Sequence, residues 1–132
     1  MNRAEKAVEC YKEKGYNCAQ AVLCAFADKT KFSEDDLFRL SEAFGGGMGG
    51  TRGVCGAVSA MVFLAGLKES FGTDKLPDTN KKESCALAAK FMSEFEEKNT
   101  TILCSRLKGE GIRSCDGCIE DAVKILEKHL KW

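Results

Sequence analysis

The sequence is poor in the residues that several common functions require. Among 132 residues there is one proline and one histidine, and 20 basic residues balance 20 acidic ones. Zero net charge argues against a surface that binds nucleic acid or acidic lipid, because both select an excess of Lys and Arg. One histidine near the C-terminus cannot complete a Ser/His/Asp catalytic set. We therefore expect no nucleic-acid partner and no hydrolase of that type.

Long apolar segments are missing as well. The N-terminus, MNRAEKAVECYKEKG, is charged and amphipathic and has no apolar signal core, so we expect a cytoplasmic protein in a reducing compartment. The uncharged run at residues 53–67 would span about 22 Å as a helix, short of the ~20 residues that cross a bilayer. We expect no membrane association, and the length fits one domain, residues 1–132.

That uncharged run is the most apolar part of the chain and predicts a central buried helix, roughly residues 53–70, covered by neighbours on every side. Helical periodicity elsewhere, without sustained alternation, predicts an all-α fold of about six helices packed around it. Residues that can cap the starts of these surrounding helices are Asn17, Ser33, Asn80, Thr101 and Ser114.

Eight cysteines are many for a reducing compartment, where structural disulfides are rare. Four of them fall in or near the first turns of predicted helices: Cys18, Cys55, Cys104 and Cys115. A helix N-terminus stabilises a thiolate and can lower a cysteine pKa from ~8.5 to ~3.5–7.5, and thiolates are both nucleophiles and metal ligands. These four are candidate catalytic residues and metal ligands. The competing interpretation is that they are passive apolar core residues.

Cys118 follows Cys115 at the C-x-x-C spacing, which places two sulfurs on one side of a first helical turn. It is a candidate disulfide partner or additional metal ligand. Cys10, Cys24 and Cys85 lie further into predicted helices, where we expect buried, inert thiols. His129 is expected to be solvated, which leaves no histidine pair for a zinc site.

The glycine cluster contains Gly45-x-Gly47-x-x-Gly50, formally a dinucleotide fingerprint, but it follows a predicted helix instead of a strand, so no nucleotide is expected. The glycines instead predict a tight turn that brings backbone close to Cys55 or to a bound group. A plain helix–helix turn fits equally well. Candidate cofactor contacts are Gly47, Gly49, Gly53 and Gly56.

Several segments together carry a resemblance to a known family. They are GYNCAQAV at 15–22, FGGGMG at 44–49, GVCGA at 53–57, Cys104 with Arg106 and Leu107, and Cys115 followed by DAV at 121–123. With these segments the chain resembles the C_GCAxxG_C_C family, small proteins named for a Cys-Gly-Ala-x-x-Gly motif and four characteristic cysteines. The last glycine of that motif is Ala60 here.

The resemblance implies a redox-active protein without fixing its reaction, and it implies that the family's four cysteines are Cys18, Cys55, Cys104 and Cys115. Cys118 stands where the family more often has an apolar residue, so its C-x-x-C is an addition of this chain. A related segment occurs in split-Soret-type cytochromes, whose chain holds an iron–sulfur centre. An iron–sulfur cluster is therefore one cofactor that the resemblance implies.

Three functions remain open at this point. The first is a redox protein whose four characteristic cysteines converge and either ligate an iron–sulfur cluster or cycle between dithiol and disulfide, with an unknown redox partner. The second is a structural or regulatory zinc module with four cysteine ligands. The third is a helical interaction protein with passive thiols. A homodimer is compatible with each of them.

Overall fold

Seven α-helices make up most of the chain that the structure describes. A computed structural model describes residues 1–131. The helices are α1 (Arg3–Glu13), α2 (Cys18–Cys24), α3 (Glu34–Ser41), α4 (Gly56–Glu69), α5 (Lys81–Asn99), α6 (Cys104–Gly109) and α7 (Cys115–His129). Within residues 1–131, β-pairing is confined to one isolated antiparallel bridge between Val54 and Leu103. The predicted all-α fold is confirmed. None of the described helices is long and apolar enough to cross a membrane.

Side-chain caps that were predicted from the sequence set the start of three helices. Asn17 accepts a hydrogen bond from the Gln20 N–H at 2.8 Å, and the Gln20 side chain accepts one from the Asn17 N–H at 2.9 Å, so α2 begins at Cys18. Ser33 and Ser114 cap α3 and α7 in the same way with their hydroxyls. These interactions are local in sequence, which is why the sequence reveals them.

Two predicted caps are wrong, because their side chains bond elsewhere. The Asn80 amide donates to the carbonyl oxygen of Glu69, at the end of α4, at 2.8 Å, and it does not cap α5. The Thr101 hydroxyl accepts from the Leu103 N–H at 3.1 Å, and α6 begins later, at Cys104, without a side-chain cap.

Helix α4 is the most apolar helix and packs against α2, α5 and α7. Val58, Met61 and Leu64 on this helix are fully buried. It begins three residues later than the predicted residue 53, because the chain before it pairs with the segment before α6 at the Val54–Leu103 bridge.

One side of α4 is open, contrary to the expectation that neighbours cover every face. Val62 and Leu67 are 38% and 42% exposed. Together with Phe71, Leu76 and Met92 they line an open, mainly apolar groove of about 1130 Å³. The groove exists because the loop after α4, residues 70–79, is itself exposed and does not close over the helix.

Candidate functional site

Five cysteines line one small cavity in the interior, and we call them the thiol cluster. They are Cys18, Cys55, Cys104, Cys115 and Cys118, and the cavity volume is about 10 Å³. Four of them are only 2–7% exposed, whereas Cys115 is partly exposed. The thiol cluster therefore meets solvent at Cys115.

Helix N-termini bring the thiol cluster together. Cys18, Cys104 and Cys115 are the first residues of α2, α6 and α7, Cys118 lies in the first turn of α7, and Cys55 immediately precedes α4. Each N-terminus carries unpaired N–H groups and a partial positive charge. Four such ends converge on one cavity, which favours negative charge on the sulfurs.

The isolated bridge fixes Cys55 next to Cys104. The Cys55 N–H donates to the carbonyl oxygen of Ile102 at 2.8 Å, and the Cys104 N–H donates to that of Gly53 at 2.7 Å. Two cysteines 49 residues apart in sequence thus lie on neighbouring backbone segments. The starts of α4 and α6 are held together by this pairing.

Two glycines allow the backbone to approach the thiol cluster closely. Gly47 has a φ of +76°, and a Cβ there would lie 2.7 Å from the Cys104 Cβ. A Cβ at Gly56 would lie 3.0 Å from the backbone nitrogen of Ala19. Any larger residue at these positions would push α2 or α6 away from the site.

The glycines predicted as cofactor contacts divide into two groups. Gly47 and Gly56 line the cavity, but Gly49 and Gly53 do not. Gly46 lines it although the sequence did not single it out. A contact of any of them with a cofactor stays a prediction.

Cys18 and Cys115 form one pair, which we call the outer pair. The Cys18 thiol donates a hydrogen bond to the Cys115 sulfur, which also accepts from Lys108 and Tyr11. The bond from Cys18, followed by those from Lys108 and Tyr11, outweighs partial burial and lowers the pKa of Cys115 to about 5. The same bond, together with burial, raises the pKa of Cys18. The outer pair therefore carries one thiolate and one thiol.

Cys55 and Cys118 form a second pair, which we call the inner pair. The Cys118 thiol donates to the Cys55 sulfur, and the backbone N–H groups of Ala57 and Val58 add two further donors. These bonds outweigh burial and lower the pKa of Cys55, whereas the bond to Cys55 and burial raise the pKa of Cys118. The inner pair repeats the arrangement of the outer pair, deeper in the protein.

Cations surround the thiol cluster. Arg52 Nη1 lies 4.0 Å from the Cys104 sulfur, and Lys108 and Arg113 line the cavity. Arg113 is held by the buried Asp121 carboxylate, which accepts from its Nε and its Nη2, each at 3.1 Å. Of these cations, Lys108 adds to the effect of Cys18 in lowering the pKa of Cys115.

Sequence reasoning missed three of the polar residues at the site, Tyr11, Lys108 and Arg113. Lys108 lies four residues after Cys104, a spacing that places both side chains on one face of a helix. That spacing could have indicated it. Tyr11 carried no such indication, because α1 reaches the site only by packing against α7 and α2.

The thiol cluster has the donor atoms of a metal site, but its cavity is too small for an iron–sulfur centre. Four cysteine thiolates are the ligand set of many zinc and iron–sulfur sites. Among residues 1–131, however, no three His, Cys, Asp or Glu side chains are placed to hold one metal ion. The cavity volume of about 10 Å³ is close to that of a single water probe. As folded here, the residues do not fit an iron–sulfur cluster.

The cysteines outside the thiol cluster differ in exposure. Cys24 is buried as predicted, with its sulfur 3.6 Å from the carbonyl oxygen of Glu34. Cys10, which was also predicted to be buried, is only partly buried. The prediction of a buried thiol at Cys85 is wrong, because this residue lies at the open groove and is exposed.

The expectation of a solvated His129 is also wrong. Its Nε2 lies 2.6 Å from Glu94 Oε1 on α5, and its ring packs beside Phe91 at a centroid distance of 6.0 Å. The side chain therefore joins α7 to α5 and is mostly buried.

Comparison with known proteins identifies the family. Residues 16–129 match the family model described as Putative redox-active protein (C_GCAxxG_C_C). No curated protein and no solved structure is significantly similar to the chain. The matched range spans most of the 132 residues and contains the whole thiol cluster. The chain therefore belongs to the C_GCAxxG_C_C family of redox-active proteins.

Proposed function

We propose that this protein is a thiol–disulfide redox protein that cycles the outer and the inner cysteine pair between dithiol and disulfide. The observation that carries the proposal is the pairing itself. In each pair a sulfur with a lowered pKa accepts a hydrogen bond from a thiol with a raised pKa. A thiolate opens a disulfide, and an adjacent thiol closes the second bond.

The outer pair supplies both steps of the reaction. The Cys115 thiolate attacks one sulfur of a substrate disulfide, and the other half of the substrate leaves as a thiolate. Cys18 gives its proton to that leaving thiolate and attacks the Cys115 sulfur of the mixed disulfide. The second substrate half then leaves as a thiolate and takes a proton from water. Two electrons pass to the substrate, which becomes two thiols, and a Cys18–Cys115 disulfide forms.

The surroundings of Cys115 suit this role. This residue is partly exposed, lies at the N-terminus of α7 and has Lys108 as a hydrogen-bond partner, which are the features of a reactive cysteine. We place the protein in the reducing cytoplasm, where ambient thiols keep both pairs in the dithiol state between turnovers. The proposed reaction also requires a redox partner that supplies the substrate disulfide.

Metal binding by the same cysteines is the second candidate function. It is favoured by the convergence of five thiols from four helix starts on one cavity. To ligate zinc or an iron–sulfur cluster, the side chains would have to leave the pairs described above and the cavity would have to widen. The pairing therefore favours dithiol chemistry over either metal.

Thiol and metal counting separates these functions. Anaerobically purified protein is assayed for iron and zinc, and its free thiols are counted before and after oxidation with oxidised glutathione and again after reduction with dithiothreitol. We expect four thiols to disappear and return reversibly, with metal well below one atom per chain.

A Cys85→Ser variant is the matched control, because Cys85 lies outside the thiol cluster, and it should lose the same four thiols. A Cys55→Ser variant should lose only two. One zinc per chain, or iron with visible absorbance, would instead support the metal site. Thiols that do not respond to the redox buffer would leave a helical protein with passive cysteines.

A further inference from the structure

The two pairs differ in their access to solvent. Cys55 and Cys118 of the inner pair are 5% and 2% exposed, so a substrate disulfide cannot approach either sulfur from outside. Cys115 is the one partly exposed member of the thiol cluster. The inner pair can therefore exchange electrons with a substrate only through a more exposed residue of the protein.

We infer that Cys115 is the entry point for both pairs and that the inner pair is oxidised and reduced through it, by disulfide exchange between Cys115 and Cys118. This inference rests on the proposed function and adds an internal relay to it. The protein would then store two disulfides, of which only the outer one meets the redox partner directly.

The sequence of contacts supports the relay. Cys18 bonds to Cys115, Cys118 bonds to Cys55, and the C-x-x-C spacing places Cys115 and Cys118 on neighbouring positions of one helical turn. C-x-x-C pairs at a helix N-terminus are a common redox arrangement. All four cysteines line the same small cavity.

The exchange balances in atoms and electrons. After the outer disulfide has formed, Cys118 loses its proton and attacks the Cys115 sulfur, so that a Cys115–Cys118 disulfide forms and Cys18 leaves as a thiolate that takes up that proton. The Cys55 thiolate then attacks the Cys118 sulfur and releases the Cys115 thiolate. The inner disulfide is now closed, and the outer pair is again a dithiol ready for a second substrate disulfide.

Arg113 is placed to assist the passage of charge through Cys118. Arg113 lines the cavity, and its pKa is raised mainly by the hydrogen bond to Asp121, with a smaller contribution from the charge of Cys118. A Cβ at residue 117 would overlap the Arg113 guanidinium and lie 2.8 Å from its Cδ, so Gly117 inside the C-D-G-C motif makes room for this side chain. The Asp121 carboxylate keeps it in position.

Oxidation of variants in which one cysteine of the thiol cluster is replaced tests the relay. In a Cys85→Ser background, the reduced protein is mixed with oxidised glutathione, quenched by acid and alkylation at successive times, and the Cys55–Cys118 disulfide is quantified by peptide mass spectrometry. We expect Cys18→Ser to form this disulfide within a few-fold of the parent rate, because Cys118 can resolve the mixed disulfide at Cys115. Cys115→Ser should form it at least about tenfold more slowly.

Two controls keep the test decisive. Diamide, a small neutral thiol oxidant, should still close the inner pair in Cys115→Ser, which would show that the pair is intact. In the double variant Cys18→Ser/Cys118→Ser, glutathione should be retained on Cys115. Retention on Cys55 instead would contradict the relay. This result does not depend on whether the Cys115→Ser variant folds well.

The possible failures are distinguishable. Formation of the inner disulfide in Cys115→Ser at the parent rate would overturn the relay but leave the two-pair function intact. Absence of both disulfides in the parent would instead overturn the proposed function.

Discussion

The lowered pKa of Cys115 leads to a sharp prediction about its reactivity. Alkylation requires the thiolate, so its rate follows the ionised fraction. With the pKa lowered from 9.0 to about 5, Cys115 is deprotonated above pH 5, and its alkylation rate should rise through pH 5 and reach a plateau near neutrality. At pH 6 such a thiol is about 90% ionised, against about 0.3% for an ordinary one with a pKa of ~8.5.

The perturbation that tests the cause is Lys108→Met, which keeps an apolar stem of similar length and removes the ammonium group. Loss of this donor should raise the pKa of Cys115, although the bonds from Cys18 and Tyr11 remain. The midpoint of the rate profile should therefore move to higher pH, with a slower rate at pH 6 and a nearly unchanged plateau.

The assay is pulsed iodoacetamide labelling from pH 4 to 9, read at the Cys115 peptide in a Cys85→Ser background. Lys12→Met is the matched control, because the Lys12 ammonium pairs with Asp116 at 3.4 Å and is not bonded to the Cys115 sulfur. A wild-type midpoint near 9 would show that Cys115 is an ordinary thiol. The same midpoint in Lys108→Met and wild type would show that Lys108 does not lower its pKa.

Two further predictions concern what holds the site together. Asp121→Asn removes a buried charge that pairs with Lys98 and Arg113, so we expect urea unfolding at neutral pH to show a loss of about 3 kcal/mol. Burial raises the Asp121 pKa, but bonds from Lys98, Arg113 and Asn99 outweigh it and hold the pKa below 3.8. The difference between wild type and variant should therefore shrink as pH falls through that range, and a difference that persists would count against the ion pairs. Gly47→Ala should destabilise by at least about 2 kcal/mol more than Gly49→Ala. Both residues have positive φ, but a Cβ at 47 would lie 2.7 Å from the Cys104 Cβ, whereas one at 49 would meet nothing nearer than 3.9 Å. Equal losses of stability for the two variants in thermal unfolding would contradict this close approach.

Local interactions could be predicted from the sequence. The cap at Ser114 and the reciprocal bonds between Asn17 and Gln20 join residues three apart, so the sequence contains both partners. The cap at Asn80 failed because its amide finds Glu69, which lies eleven residues earlier on another helix. Such a choice depends on how helices pack.

The thiol cluster divides in the same way. The capping residues Asn17 and Ser114 predicted that Cys18 and Cys115 begin helices. Their position at helix starts in turn predicted that they could be thiolates. That their sulfurs bond to each other could not be predicted, because 97 residues separate them and only the packing of α1, α2 and α7 brings them together. Cys85 was misjudged because helical periodicity does not show which apolar face finds a neighbour.

A map of the disulfides in the fully oxidised protein tests directly whether the outer and the inner pair are the redox-active units. Reduced wild-type protein is titrated anaerobically with two equivalents of diamide, trapped by alkylation and digested without reduction for mass spectrometry. We predict two linkages, Cys18 to Cys115 and Cys55 to Cys118, with Cys104 alkylated as a free thiol. A dominant linkage through Cys104, or between Cys10 and Cys24, would contradict it.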